Sequence, residues 1–200
     1  MVSVSRWLLA VAMVVTTLCL GGCPGEQDTV EVSTPPEALH EEGSSMTWTI
    51  TSPAFADGER IPAKYTADGE DISPPLDLGE VPEGAVELAL ICDDPDAARG
   101  VWTHWVLYGL SPDVAELPEG IVPRAKVNRP ACVQGLNSWP KVGYGGPSPP
   151  AGTGAHRYRF TVYALDGPVE LEPGATRREL AQTMRELIIA EATLTGTYSR

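Results

Sequence analysis

The chain has 200 residues, 42% of them hydrophobic, with 20 Gly, 19 Pro and a formal net charge of −13. That length supports one hydrophobic core and does not ask for two domains; the Gly and Pro residues lack a collagen period and alternate with apolar runs, which favours a loop-rich β protein over disorder. A chain this acidic has no general attraction for phosphate backbones or anionic lipid surfaces, which excludes nucleic acid as a partner and leaves any anion to be captured by a local site.

Residues 1–22 place one charged side chain, Arg6, ahead of an apolar run over residues 7–20. This is the layout of a secretory signal peptide, too short for a stop-transfer helix. The ending Leu20-Gly21-Gly22-Cys23 resembles a bacterial lipobox, which implies cleavage before Cys23 and lipidation of its thiol. Diacylglycerol plus an amide-linked acyl chain exceeds the two signals that stable anchoring needs, so the expected location is exported and lipid-anchored to a bacterial membrane, on its periplasmic or cell-surface face. Loss of Arg6 with the leader takes the charge from −13 to −14. Residues 23–45 are rich in Glu, Pro, Ser and Thr and cannot bury enough surface to fold, so they read as a flexible linker, with His40 given no chemical role.

A single domain is expected over residues 46–200. Residues 46–50 alternate and are rich in strand-favouring types, and residues 61–76 hold the turn signals Asp68-Gly69 and Ser73-Pro74-Pro75. Val86 to Cys92 is nearly continuous apolar chain with the length of a buried strand, ended by Asp93-Asp94-Pro95-Asp96. Val101 to Leu110 is rich in aromatic and β-branched residues and reads as a central strand. A Pro-rich connection around Pro118 and Pro123 leads to the loop Gly143 to Tyr158, after which Tyr158 to Leu165 alternates as another strand. Thr176-Arg177-Arg178-Glu179 has capping-box spacing, and Leu180, Met184, Leu187 and Ile188 follow at helical spacing, which predicts one amphipathic helix. Leu194 to Tyr198 is expected to close the domain as a short strand.

Unusual chemistry gathers in three islands: Asp93-Asp94-Pro95-Asp96-Ala97, Trp102-Thr103-His104-Trp105, and the loop Gly143 to Tyr158. Each adjoins a predicted strand, so sheet neighbours would bring Asp94, Asp96, His104, His156 and Tyr158 to one rim. A carboxylate beside a histidine favours the imidazolium, so His104 or His156 could serve as a charged donor near neutral pH. Tyr158 would add an O–H donor and Trp102 an apolar wall or a face for a cationic headgroup. The same residues considered as two His and two Asp lack the close spacings of recognised zinc motifs, and neither a metal nor a cofactor is expected.

In order along residues 46–200, the segments Asp94-Pro95-Asp96-Ala97, Trp102-Thr103-His104-Trp105, Gly143-Tyr144-Gly145-Gly146-Pro147-Ser148-Pro149-Pro150 and His156-Arg157-Tyr158 resemble the phosphatidylethanolamine-binding proteins, specifically the bacterial branch similar to Raf kinase inhibitor protein. Ile61-Pro62-Ala63-Lys64-Tyr65-Thr66, the stretch Asp68 to Leu76 and Gly196-Thr197-Tyr198 add weaker support. The resemblance implies a mainly β fold with peripheral helices, its central antiparallel sheet flanked by a smaller second sheet on one side and helical cover on the other. It also implies a small pocket for phosphate-like or carboxylate anions, including phospholipid headgroups, built from Asp94, Asp96, Trp102, His104, His156 and Tyr158, with backbone N–H groups of Gly143, Gly145 and Gly146. Two positions depart from the pattern: Ala98 stands where the family usually has a proline, often after a cis peptide, and Ser148 where bacterial relatives often carry Cys.

With Cys19 in the leader and Cys23 acylated, Cys92 and Cys132 remain, and an exported location permits a disulfide between them without requiring it. No activated nucleophile is evident in the sequence. The expected function is a non-enzymatic binding protein for a small anionic or phosphorylated ligand, touching the membrane only through its anchor. A regulator that acts on a kinase or protease through protein–protein contact is the alternative.

Overall fold

A computed structural model describes residues 47–200. The leader 1–22, the lipidation site Cys23 and the linker 23–45 lie outside the described residues. The elements in chain order are β1 (Leu76–Asp77), β2 (Glu87–Asp94), β3 (Trp102–Leu110), β4 (Glu116–Leu117), β5 (Lys126–Asn128), β6 (Ala131–Gln134), β7 (His156–Leu165), α1 (Arg177–Met184) and β8 (Ile188–Tyr198), with a 3-10 turn at Ala63–Tyr65. Six strands form one sheet in the order β5-β6-β3-β2-β7-β8, and β1 pairs with β4 in a second sheet of two. All of these pairings are antiparallel. The architecture is the mainly β, two-sheet fold expected.

The large sheet is buried on both faces, because its central strands are apolar at odd and even positions alike. Leu88, Leu90 and Cys92 of β2 join Trp105 and Leu107 of β3 and Phe160 and Val162 of β7 in one core, which also takes Trp48, Ile50, Leu76 and Leu117 from the side of the small sheet. Ala89 and Ile91 of β2 and Val106 and Tyr108 of β3 form the second core under α1, against Leu180 and Met184. Each large side chain removed from water here contributes about 1.5–3 kcal/mol. Helix α1 starts where expected: the Thr176 hydroxyl accepts from Glu179 N–H, and the Glu179 carboxylate accepts from Thr176 N–H.

Its end differs from the sequence reading. The helix stops at Met184, and Ile188 opens an eleven-residue strand whose partners on β7 run from Leu165↔Ile188 to His156↔Tyr198. Pairing along β7 outweighs the helical spacing of Leu187 and Ile188 with Leu180, since local periodicity carries no information about a distant strand. The segment at residues 47–50 forms no ladder either; Thr51 makes a single bridge to Asp77. Trp48 and Ile50 are nonetheless buried as their alternation predicts, and Trp48 Nε1–H donates to the Leu78 carbonyl at 2.7 Å.

Cys92 and Cys132 are free buried thiols, and the disulfide that the sequence permits is not formed. Cys92 lies opposite Trp105 on β3, while Cys132 is one residue beyond the Val133↔Tyr108 pair on the far side of β3. Two strand spacings and four residues of offset put their Cα atoms on the order of 15 Å apart, more than twice what a disulfide spans.

A cavity at the end of the sheet

Strands β2 and β3 keep regular antiparallel register from Leu90↔Leu107 to Cys92↔Trp105 and then shift, with Asp93 opposite Thr103 and Asp94 opposite Trp102. The extra residue on β3 is His104. A one-residue bulge re-aims the side chains around it. Trp105 keeps its place in the core beside Cys92, Thr103 turns to the α1 side with Asp93, and His104 is freed to face Tyr158 and Trp139, with ring centroids 5.0 and 5.1 Å away.

The six side chains expected to form the pocket, Asp94, Asp96, Trp102, His104, His156 and Tyr158, all line one half-open cavity of about 420 Å³. This lies within the range of small-molecule sites. The Gly143 to Tyr158 loop contributes Ser148, Pro149, Pro150 and Thr153 to the same wall. The sequence reading did not single out Arg99 or Trp139, which also line it. Trp139 packs edge-on against Trp102, with centroids 5.3 Å apart; its signal was an aromatic residue in the turn-rich stretch Asn137-Ser138-Trp139-Pro140.

The two carboxylates are occupied within the protein. Asp94 accepts from Asp96 N–H at 2.8 Å on one oxygen and pairs with His156 Nδ1 at 2.8 Å on the other. His156 Nε2 meets Thr153 Oγ1 at 3.1 Å, so both ring nitrogens have protein partners. Asp96 is clamped by Arg157, whose Nη2 donates to one oxygen at 2.7 Å while Nε and the backbone N–H donate to the other, each at 2.9 Å. The guanidinium holds the Asp96 carboxyl down to about 2. These contacts tie the Asp94-to-Ala97 turn to β7. The peptide before Ala98 is not among the cis bonds; the one cis peptide of the described residues is Arg129–Pro130.

His104 corrects one expectation. Its partner is a carbonyl: Nδ1–H donates to Gly145 O at 2.6 Å, and the ring is only 2% exposed. Burial, the largest influence, pulls it below its ordinary 6.5, toward the neutral form. In the free protein the charged-donor role therefore does not suit His104, whose Nε2 is left as an acceptor without a partner among the described residues.

The glycines are a second correction. Gly145 N–H donates to His104 O, Gly146 N–H to Asp71 Oδ1 and Gly143 N–H to Gly135 O, so all three point into the protein and none is free for an anion. Small size is what the loop needs from two of them. A Cβ on Gly145 would lie 2.9 Å from the Trp139 ring, and one on Gly146 would lie 2.7 Å from Thr66 Cα.

Two donors stand in contrast. Tyr158 O–H and Trp102 Nε1–H are buried and have no hydrogen-bond partner among the described residues. Tyr158 is 1% exposed, and burial raises its phenol well above 10, so it stays a donor. An orphaned buried donor costs about 1–3 kcal/mol unless an acceptor reaches it, and both of these belong to residues that line the cavity.

A family model described as phosphatidylethanolamine-binding protein matches residues 51–199. A UPF0098 protein of Pyrococcus abyssi is 42% identical over 193 residues, 96% of each chain. A Mycobacterium tuberculosis protein named "Putative lipoprotein LppC" is 38% identical over 206 residues, again 96% of each. Among solved structures, CT736 of Chlamydia trachomatis is 43% identical, with a TM-score of 0.69 over 77% of this chain and 98% of its own.

Proposed function

The chain belongs to the phosphatidylethanolamine-binding protein family, and on that footing we propose that it is a non-enzymatic binding protein whose cavity takes a small phosphate-like anion, either free or as a phospholipid headgroup. One observation carries the reading: Trp102 and Tyr158, which line the cavity, hold buried donors without partners among the described residues, while the carboxylates of Asp94 and Asp96 are already hydrogen-bonded to His156 and Arg157. An acceptor-rich ligand satisfies both donors without confronting a free carboxylate.

Binding rather than catalysis is favoured by the state of the thiols. Burial pushes Cys92 far up and Cys132 up to about 11, away from the thiolate range of a nucleophile. The domain is proposed to work at a membrane surface, exported and held by lipid on Cys23, in keeping with the name of the mycobacterial relative. Loss of the protein from the membrane fraction in Cys23→Ser checks the anchor.

Calorimetric titration of the full chain in non-ionic detergent with inorganic phosphate, phosphoethanolamine and a nucleotide tests the pocket. Binding by the wild type that weakens in His104→Ala and His156→Ala is expected. No binding, or undiminished binding by both variants, would sink the assignment.

A further inference from the structure

The cavity reading above, on which this inference rests, leaves open which form of phosphate the site prefers. Four residues that line the cavity each carry a group without a partner among the described residues, and they come from three parts of the chain. Trp102 Nε1–H and Tyr158 O–H are donors on β3 and β7. His104 Nε2 is an acceptor, because Nδ1–H is committed to Gly145 O. Arg99 is exposed on the turn between β2 and β3, where Gly100 N–H bonds Ala97 O at 3.1 Å, and it takes part in none of the ion pairs among the described residues. The nearby guanidinium of Arg157 is paired with Asp96, so Arg99 is the unpaired guanidinium on this lining.

These four groups ask for three ligand oxygens and one ionisable proton. A terminal phosphate offers three unsubstituted oxygens: one for the two buried donors, one for the Arg99 fork, and one that can share a proton with His104 Nε2, since its second ionisation lies near pH 6. A phosphodiester, such as the linkage inside an intact phospholipid headgroup, has two unsubstituted oxygens, a single charge and no proton to offer Nε2. Its second oxygen can meet Arg99 only as part of a single delocalised charge, and His104 Nε2 stays unmet.

We propose that this cavity selects phosphomonoesters over phosphodiesters and that Arg99 is the residue that sets the preference. The natural ligand class is then a free, water-soluble phosphomonoester, with membrane phosphodiesters as the disfavoured alternative.

The test compares O-phosphoethanolamine with glycerophosphoethanolamine, which differ in the second ester, by calorimetry on the full chain in non-ionic detergent at pH 7.5. The wild type is expected to bind the monoester about tenfold or more tightly than the diester, in line with one charge-assisted hydrogen bond. Arg99→Gln should weaken the doubly charged monoester more than the singly charged diester, so that the ratio shrinks. Arg99 is exposed, and the variant is expected to unfold at the wild-type denaturant concentration. Equal binding of both esters by the wild type, or a preference undiminished in Arg99→Gln, would overturn the inference while leaving the anion pocket in place. Binding of neither ester would overturn both.

Discussion

Asp93 and Asp94 are consecutive on β2 and serve opposite faces of the sheet: Asp93 accepts from Arg177 Nε of α1 at 2.6 Å, while Asp94 pairs with His156 Nδ1 of β7 at 2.8 Å in the cavity. Asp93 also accepts from Thr103 Oγ1 at 2.8 Å, beside the bulge that aims His104. The helix therefore braces the cavity through the sheet. Asp93 is 8% exposed at its side chain and Arg177 42%, so their loss should not be symmetric. Arg177→Met strands a buried carboxylate and should cost about 3 kcal/mol; Asp93→Asn leaves a guanidinium that water can reach and should cost nearer 1 kcal/mol. Urea denaturation of both variants measures the difference, and equal costs would mean that the pair is not held across a burial gradient.

Tyr158 poses a test in which stability and binding move apart. Its hydroxyl is buried with no partner among the described residues, so Tyr158→Phe removes a desolvated polar group and should leave stability unchanged or raise it by about 1 kcal/mol. The same change takes away a donor for the anion and should weaken phosphate binding by about tenfold. A Phe variant that is destabilised and binds as well as the wild type would show that the hydroxyl is satisfied in some other way.

The loop glycines are predicted to act through space. Ala at 146 would drive a Cβ to 2.7 Å from Thr66 Cα and 2.7 Å from Tyr65 O, and backbone cannot yield as a flexible side chain does. Gly146→Ala should cost about 3 kcal/mol. Gly152 has open space around it but a φ of +81°, so Gly152→Ala should cost only the left-handed penalty of about 1 kcal/mol. Thermal unfolding ranks the two, and the reverse order would refute the packing account.

Much of this could be read from the residues. Val86 to Cys92, Val101 to Leu110 and Tyr158 to Leu165 became β2, β3 and β7 because their apolar runs suit a sheet buried on both faces, and the islands at their ends converge because those three strands are neighbours. The features that stayed hidden depend on pairing. Simple alternation puts His104 opposite Trp105, and only the bulge against β2 turns it into the cavity. The helical spacing running on to Ile188 was overruled by ten partners on β7. The loop glycines look like open donors in a sequence, whereas their N–H groups and close approaches are spent inside. Trp139 and Arg99 reach the cavity from turns, where no periodicity marks a face.

Acid stability should show the Asp96–Arg157 clamp. A carboxylate held at about 2 in the folded chain, against 3.8 in the unfolded one, adds stability that is complete above pH 3.8 and is lost as pH falls toward 2. Asp96 is 30% exposed, so solvent screening trims the size of the effect. Asp96→Asn should flatten the stability curve between pH 4 and 2. An unchanged slope in that window would remove the clamp from the acid response.

The buried imidazole gives a separate window at milder pH. Burial lowers His104 below 6.5, so between 6.5 and its folded value the unfolded chain takes up a proton that the folded chain does not. Stability from this group is therefore complete above pH 6.5 and falls as the pH is lowered below it, the opposite of a histidine stabilised by a carboxylate. His104→Gln should remove that part of the slope. Bound phosphomonoester should act in the reverse direction, because an anion oxygen facing Nε2 favours a proton there, so binding at pH 7 should take up protons. Calorimetry of the wild type in buffers of different ionisation enthalpy counts them. Proton uptake that vanishes in His104→Gln places the titrating group at this ring, and uptake that persists in the variant would assign it elsewhere.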